Sequence, residues 1–274
     1  MATSVETQDD LGQLRLLARA QRGIERYGWR ACLREAALRP LRPALAPVAA
    51  QRLRRRATHV DGVDSVLNLA FDFDAFGINV RPGQVRLEFE RLLQQVAECP
   101  PRAVLEIGTA NGGSLFSFAG LCAPTAHIIS VDLPQGQFGG GYPSWKIPLY
   151  KAFAGPNQRL DLIRGDSHAT STLERVQDLL GGAVLDLLFI DGDHTYEGVR
   201  QDFEDYSPLV RPGGLIAFHD IAWPDEEAIA GSEVEYLVGE VPRFWSELRA
   251  KHGGEEYIYG TGFGFGIGLI RAPR

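Results

Sequence analysis

Two short stretches concentrate side chains able to hold a metal ion or move a proton. Residues 190–197 read IDGDHTYE and set Asp191, Asp193, His194 and Glu197 straight after the apolar run LDLLF. Residues 218–220 read FHD, so His219 and Asp220 close a second apolar run. Carboxylates and imidazoles are the ligands of hard and borderline divalent ions, and imidazole is also the commonest general base. Each residue has a plainer alternative. Asp193 and Thr195 are good N-cap groups for a following helix. His194 suits a cap or a solvated loop, Glu197 a first helical turn, and His219 a satisfied strand end. His168, in RGDSH, either faces a substrate or hydrogen-bonds locally.

These residues depend on the elements that carry them. Short apolar runs recur as RAVLEIG (102–108), HIISVDL (127–133), RLDLIRG (159–165), LDLLFID (185–191) and LIAFHDI (215–221). Helical spacing fills the gaps at 113–120, 145–154, 171–180 and 195–207. Strands alternating with helices predict an α/β fold, with a parallel sheet covered on both faces. RPGG at 211–214 has the residues of a turn. After a last helix near 235–250, EEYIYG and GFGFGIGLIR predict a terminal hairpin. In such sheets ligands bind beyond the carboxyl ends of the strands. The polar residues following the runs therefore collect on one edge.

Upstream, residues 84–98 predict a helix with Val85, Phe89, Leu92, Leu93 and Val96 as its apolar stripe. Residues 10–37 predict one or two amphipathic helices, which Pro40, Pro43 and Pro47 interrupt. RLRRR at 52–56 is either a solvated helix face or a phosphate or membrane-surface contact. The chain divides into a helical N-terminal extension and lid, 1–83, and a cofactor-binding domain, 84–274.

Composition narrows the function classes. The chain has 274 residues, 45% of them hydrophobic and 23% charged, as in soluble globular proteins. Three cysteines without metal-ligand spacing argue against a disulfide framework and predict a cytoplasmic protein. No run of about 20 apolar residues is present, so no transmembrane helix is predicted. The polar, acidic start does not read as a secretory signal. The net charge is −7, with twelve Arg against five acids in residues 1–60 and 16 basic residues against 30 acids beyond. An acidic body excludes a general nucleic-acid binder. The basic helical N-terminus predicts a homodimer.

A cofactor is indicated at the first strand end. In VLEIGTANGGS (104–114), Gly108, Gly112 and Gly113 allow a tight strand-to-helix turn and close approach of a ligand. The spacing is not G-x-G-x-x-G, so a dinucleotide pyrophosphate is not specifically indicated. Glu106 brings negative charge that would repel a pyrophosphate. Asp132, 24 residues beyond Gly108, stands where a carboxylate accepts from vicinal ribose hydroxyls. Asp166 stands where an adenine amino group is met. An acidic crevice with a ribose-binding aspartate suits S-adenosylmethionine, which is cationic at sulfur. A fold binding NAD is the alternative.

With these motifs the chain resembles the class I S-adenosylmethionine-dependent methyltransferases over roughly residues 84–271. VLEIGTANGGS is similar to their first motif, ISVDLP to the second and LIRGDS to the third. The resemblance implies a Rossmann-like seven-stranded, mostly parallel sheet in the order 3-2-1-4-5-7-6, with the last-numbered strand antiparallel. It also implies cofactor contacts from Glu106, Gly108, Asn111, Ser114, Asp132, Asp166, Ser167 and Asp191. In that order the strands ending at Asp191 and at His219–Asp220 are neighbours. Parallel strands lie about 4.8 Å apart, so Asp191, His219 and Asp220 come within reach of one ion. The oxygens suit Mg²⁺, while the imidazole suits Mn²⁺, Fe²⁺ or Zn²⁺ better.

The chain resembles, more narrowly, the metal-dependent sugar O-methyltransferases of macrolide (macrocin and mycinamicin type) and aminocoumarin biosynthesis. Cephalosporin hydroxylase-like proteins share the layout. By this resemblance Asp191 and Asp220 are ligands, and His219 stands where the group often carries a carboxylate. His194 in D-x-x-H matches the base of the macrolide type, and Asp193 that of the aminocoumarin type. FGGGYPSWK, RGDSH, IDGDHTYEGV and FHDI also resemble bacterial methyltransferases of polysaccharide biosynthesis, including the methylmannose pathway. The implied reaction is methyl transfer to a hydroxyl of a sugar or oligosaccharide. A hydroxylase-like oxygenase component, or a methyltransferase for a non-sugar natural product, is the alternative.

For the acceptor, PQGQFGGGYPSW (134–145) joins consecutive glycines to Phe138, Tyr142 and Trp145. It is either a lid stacking on sugar rings or an ordinary long loop. Residues 69–84 are placed to close the cofactor pocket, and His168, Trp223 and Glu226 to line the acceptor site.

Overall fold

The five apolar runs become five parallel strands: β1 (Ala103–Ile107), β2 (His127–Asp132), β3 (Arg159–Arg164), β4 (Leu185–Ile190) and β5 (Val210–Ala222). The computed structural model describes residues 29–136, 138, 141–224, 238–259 and 265–273. β6 (Glu255–Tyr257) and β7 (Phe265–Arg271) complete the sheet. Its order is β3-β2-β1-β4-β5-β7-β6, with β7 antiparallel to both neighbours. This is the order and direction implied by the resemblance.

Alternate residues of the buried strands feed two cores, because successive side chains point to opposite faces. Val104, Ile128, Leu187 and Phe189 face one core. Leu105, Ile129, Leu188 and Ile190 face the other. The first is covered by α2 (Arg42–Ala57), α3 (Gly62–Asp72), α4 (Arg86–Glu98) and α5 (Gly113–Leu121), which follow α1 (Trp29–Leu38). After the short α6 (Ile147–Lys151), the second core is covered by α7 (Thr170–Leu180), α8 (Tyr196–Tyr206) and α9 (Val241–His252). Among the described residues no helix is long and apolar enough to cross a membrane.

Several elements differ from the sequence reading. Pro43 opens α2, as proline suits a first helical turn, but the helix continues through Pro47. Ala46, Ala49, Ala50 and Leu53 bury on its inner face, which outweighs one lost backbone donor. Arg54, Arg55 and Arg56 lie on its exposed side, a solvated face. RPGG at 211–214 is no free turn. It lies within β5, where Gly213 at φ 75° donates to the carbonyl of Ala272 and the pairing with β4 shifts register. Helix α3 falls in the stretch expected to be helical, and a two-stranded ribbon, Asp74–Ala75 with Ile78–Asn79, follows it. The helix expected over 145–154 is a 3₁₀ turn, Ser144–Lys146, followed by α6. Most of the helical stretch 10–37, the start of the one near 235, and Glu226 lie outside the described residues.

Candidate active site and cofactor cleft

The turn after β1 needs glycine at one point above all. Gly108 has φ 87°, and a Cβ there would lie 1.8 Å from the carbonyl oxygen of Asp191. Only a residue without a side chain lets the ends of β1 and β4 close up. Behind this turn, the Thr109 hydroxyl donates to Glu106 Oε2 at 2.7 Å and meets Ser130 Oγ at 2.5 Å. Burial pushes the Glu106 carboxyl up to about 8, against hydrogen bonds from Ser114 and Thr109. Glu106 is fully buried and lines neither of the two cavities at this edge. The residue expected as a cofactor contact thus sits behind the turn, not on a cavity wall.

The smaller cavity, about 310 Å³, is lined by Gly108, Asp132, Asp166, Ser167, Asp191 and Asp193, among others. Asp132 is buried and accepts from the backbone N–H of Thr109 at 3.1 Å and of Tyr142 at 2.8 Å. Burial raises its carboxyl above the ordinary value, while those bonds hold it down. Asp166 accepts from the backbone N–H of His168 at 2.9 Å. The larger cavity, about 850 Å³, is lined by Asn111, Ser114, Asp191, His194, His219 and Asp220, with residues of the 72–84 segment opposite. Both cavities border on Gly108, Ala110 and Asp191.

Asp191 follows β4, and His219 and Asp220 lie near the end of β5, so the sheet order brings them together. One ligand atom from each lies within 4.8 Å of the others. His219 Nδ1 is 3.1 Å from Asp191 Oδ1 and 3.3 Å from Asp220 Oδ1. Burial alone would lower the His219 pKa, but Asp220 and Asp191 carry it well above the ordinary value. Burial would likewise raise Asp191, yet His219 and His194 hold its carboxyl down to about 2. A positive charge is therefore favoured between the two carboxylates. The residues also fit a divalent ion. Gln84 Oε1 and Asp220 Oδ1 are buried oxygens that accept no hydrogen bond, and such oxygens with an imidazole form a common donor set.

His194 lies between the same carboxylates, with Nδ1 3.4 Å from Asp220 Oδ2 and Nε2 3.7 Å from Asp191 Oδ1. Its ring stacks on Phe138 at 4.8 Å between centroids. Asp193 is held differently. Its Oδ1 accepts from the Thr195 backbone N–H at 2.8 Å, and its side chain packs against Gly198. Thr195 is the N-cap of α8, accepting from Gly198 N–H at 3.0 Å. His168 turns toward α8, with Nε2 3.2 Å from the fully buried Asp202. Its hydrogen bond to the Asp202 carboxylate raises its pKa to about 9.

Of the aromatic residues expected at the acceptor site, Phe138 and Tyr142 border the larger cavity, and Trp145 and Trp223 do not. Tyr142 borders the larger cavity but is almost fully buried, edge-on to Tyr150. Trp145 packs against the first core, and Trp223 lies exposed beside Trp245 and Arg249, outside both cavities. The reason is that the 3₁₀ turn at 144–146 points Trp145 inward, and β5 carries Trp223 past the sheet edge. Two cavity residues lie in stretches the sequence marks, 69–84 and FGGGYPSWK, without a role assigned to either side chain. Gln84 donates from Nε2 to Asp191 Oδ2 at 2.6 Å. Lys146 is buried and donates to Asn111 Oδ1 at 2.7 Å. Neither side chain is itself marked, beyond the scarcity of lysine in an arginine-rich chain.

Residues 105–221 match the family model of a methyltransferase domain, Methyltransf_24. The chain is 29% identical over 167 residues to the uncharacterized protein y4gI of Sinorhizobium fredii, over 60% of this chain and 17% of that one. It therefore spans about a sixth of that relative's length. Its backbone is similar to that of the O-methyltransferase TomG from Streptomyces achromogenes in complex with SAM. That match has a TM-score of 0.50 and 18% identity, over 79% of this chain and 91% of that one. The SAH-bound methyltransferase PaMTH1 of Podospora anserina matches with TM-score 0.50 and 17% identity, over 78% and 89% of the two chains. The fold is the Rossmann-like methyltransferase fold, and residues 105–221 within it match a methyltransferase domain.

Proposed function

We propose that the chain transfers a methyl group from S-adenosylmethionine to a hydroxyl of a sugar or other polyhydroxylated acceptor, in a reaction that depends on Mg²⁺ or Mn²⁺. One observation carries this reading: Asp191, His219 and Asp220 converge within 4.8 Å on a cavity that meets a second cavity at the Gly108 turn. The smaller cavity, with Asp132, Asp166 and Ser167, takes the nucleoside. Asp191, His219 and Asp220 would hold the ion, with Gln84 fixing Asp191. Such an ion would supply acidification of the acceptor hydroxyl. His194 takes the proton as the new carbon–oxygen bond forms and the carbon–sulfur bond breaks. Holding both partners in line supplies much of the acceleration.

The polar side chains of Asp74, Asn79, Arg81 and Gln84 on the larger cavity support a hydroxyl-rich acceptor, mannosides being the narrowest form of the reading. A homodimer through the basic N-terminal segment belongs to the same proposal and is checked by light scattering. Incubation with radiolabelled cofactor and a panel of mannosides and other glycosides, with Mg²⁺ or with EDTA, tests the activity. Label in product only with metal is expected, and transfer unaffected by exhaustive chelation overturns the metal role. The imidazole of His219 in the donor set keeps a hydroxylase-like oxygenase as a second reading, which product mass separates by an added oxygen in place of a methyl.

A further inference from the structure

The larger cavity has a second charged end that the proposed chemistry does not use. Lys146 closes the 3₁₀ turn Ser144–Lys146, is 8% exposed, and borders the cavity. Its Nζ donates to Asn111 Oδ1 at 2.7 Å and lies 5.7 Å from the centroid of the Tyr150 ring. Tyr150 in turn donates to the Ala110 carbonyl at 2.7 Å, so the lysine and its aromatic neighbour both grip the glycine-rich turn. Among the described residues no carboxylate lies within 4.0 Å of this ammonium. Burial, with a smaller effect of Arg42, lowers its pKa to about 8 against the opposing pull of Asp132. A buried cation held by one amide oxygen lacks the paired anion that normally compensates its desolvation.

We propose that Lys146 anchors a carboxylate, that of the amino-acid end of the cofactor. The inference rests on the S-adenosylmethionine reading above. The two cavities share Gly108 and Ala110 in their walls. A ligand with its nucleoside in the smaller one must extend past that turn toward Asn111, Ser114 and Lys146. An acidic acceptor would present the same chemistry from a different source, so the test separates the two.

Calorimetry on the full chain compares S-adenosylhomocysteine, which has the carboxylate, with 5′-methylthioadenosine, which lacks the whole amino-acid end. Lys146→Met is expected to weaken S-adenosylhomocysteine by about 10- to 100-fold, the loss of a charge-assisted hydrogen bond. It leaves 5′-methylthioadenosine within about twofold, and Lys146→Arg restores most of the loss. Equal weakening of both ligands makes Lys146 merely structural and overturns the proposal. Unchanged S-adenosylhomocysteine affinity also overturns it, and a raised KM for acidic acceptors alone then assigns the lysine to the acceptor. If the unaltered chain binds neither nucleoside, the cofactor reading itself fails.

Discussion

Gln84 donates from Nε2 to Oδ2 of Asp191 across 2.6 Å, a contact between residues 107 positions apart. The amide occupies one carboxylate oxygen and leaves Oδ1 to face His219 at 3.1 Å. It thereby ties the segment ahead of α4 to the end of β4. A group that orients a ligand changes metal affinity without touching the ion. Gln84→Leu is expected to weaken Mn²⁺ binding by about 10- to 100-fold, read by calorimetry or electron paramagnetic resonance. Unaltered affinity would reduce Gln84 to a packing residue.

Asp191→Asn and Asp220→Asn each keep the side-chain shape and remove a charge. Metal-stimulated transfer is expected to fall by on the order of 100-fold or more, the scale of losing a preorganised electrostatic partner. Binding of S-adenosylhomocysteine by Asp220→Asn stays near that of the unaltered chain. Activity at full level in either variant, measured with saturating Mg²⁺, would move the ion elsewhere.

His194 and Asp193 differ in what holds them, so their variants should differ in what they lose. His194→Gln is expected to lower kcat by about 10²- to 10⁴-fold, the range for a general base. Asp193→Ala loses the contact to the Thr195 N–H at the start of α8. It is expected to cost about 1 kcal/mol of stability, seen as a lower Tm. The opposite pattern, with kcat lost in Asp193→Ala alone, exchanges the two roles.

The pair of His168 and Asp202 makes stability depend on pH. The folded state raises the His168 pKa from 6.5 to about 9, chiefly through its bond to Asp202. A raised histidine stabilises the fold fully below about 6.5, and that contribution disappears as pH climbs through about 9. His168→Gln leaves Asp202 buried without a cation and is expected to cost about 1–3 kcal/mol near pH 6. Urea titrations between pH 6 and 9.5 should show a slope in the unaltered chain and a flatter profile in the variant. Parallel profiles would mean that His168 does not titrate in this range.

The strands and their carboxyl edge were legible because buried parallel strands are nearly continuous apolar runs, here alternating with helical spacing and ending in polar residues. The convergence of Asp191 with His219 and Asp220 followed from strand order. What stayed hidden depended on distances the chain pattern does not encode. Nothing in RPGQ announces that Gln84 reaches Asp191. Glu106 reads as a cleft residue in sequence, but the fold buries it behind the turn and thereby raises its pKa. Trp145 looks like a stacking surface, but a 3₁₀ turn faces it inward. Pro47 reads as a break because propensity argues locally, whereas the burial of Ala49, Ala50 and Leu53 is a tertiary gain.

Asp220 has φ 61°, a left-handed angle that costs an ordinary L-residue roughly 1–2 kcal/mol and that aspartate visits more readily than most. In a regular strand, His219 and Asp220 would point to opposite faces of the sheet. The turned backbone brings their side chains within 3.3 Å of each other. One dihedral angle thus sets whether the end of β5 offers one donor to the cleft or two. The pairing is a property of backbone handedness, so a leucine or valine at position 220 would remove the carboxylate and the angle together, and His219 would lose its neighbour twice over.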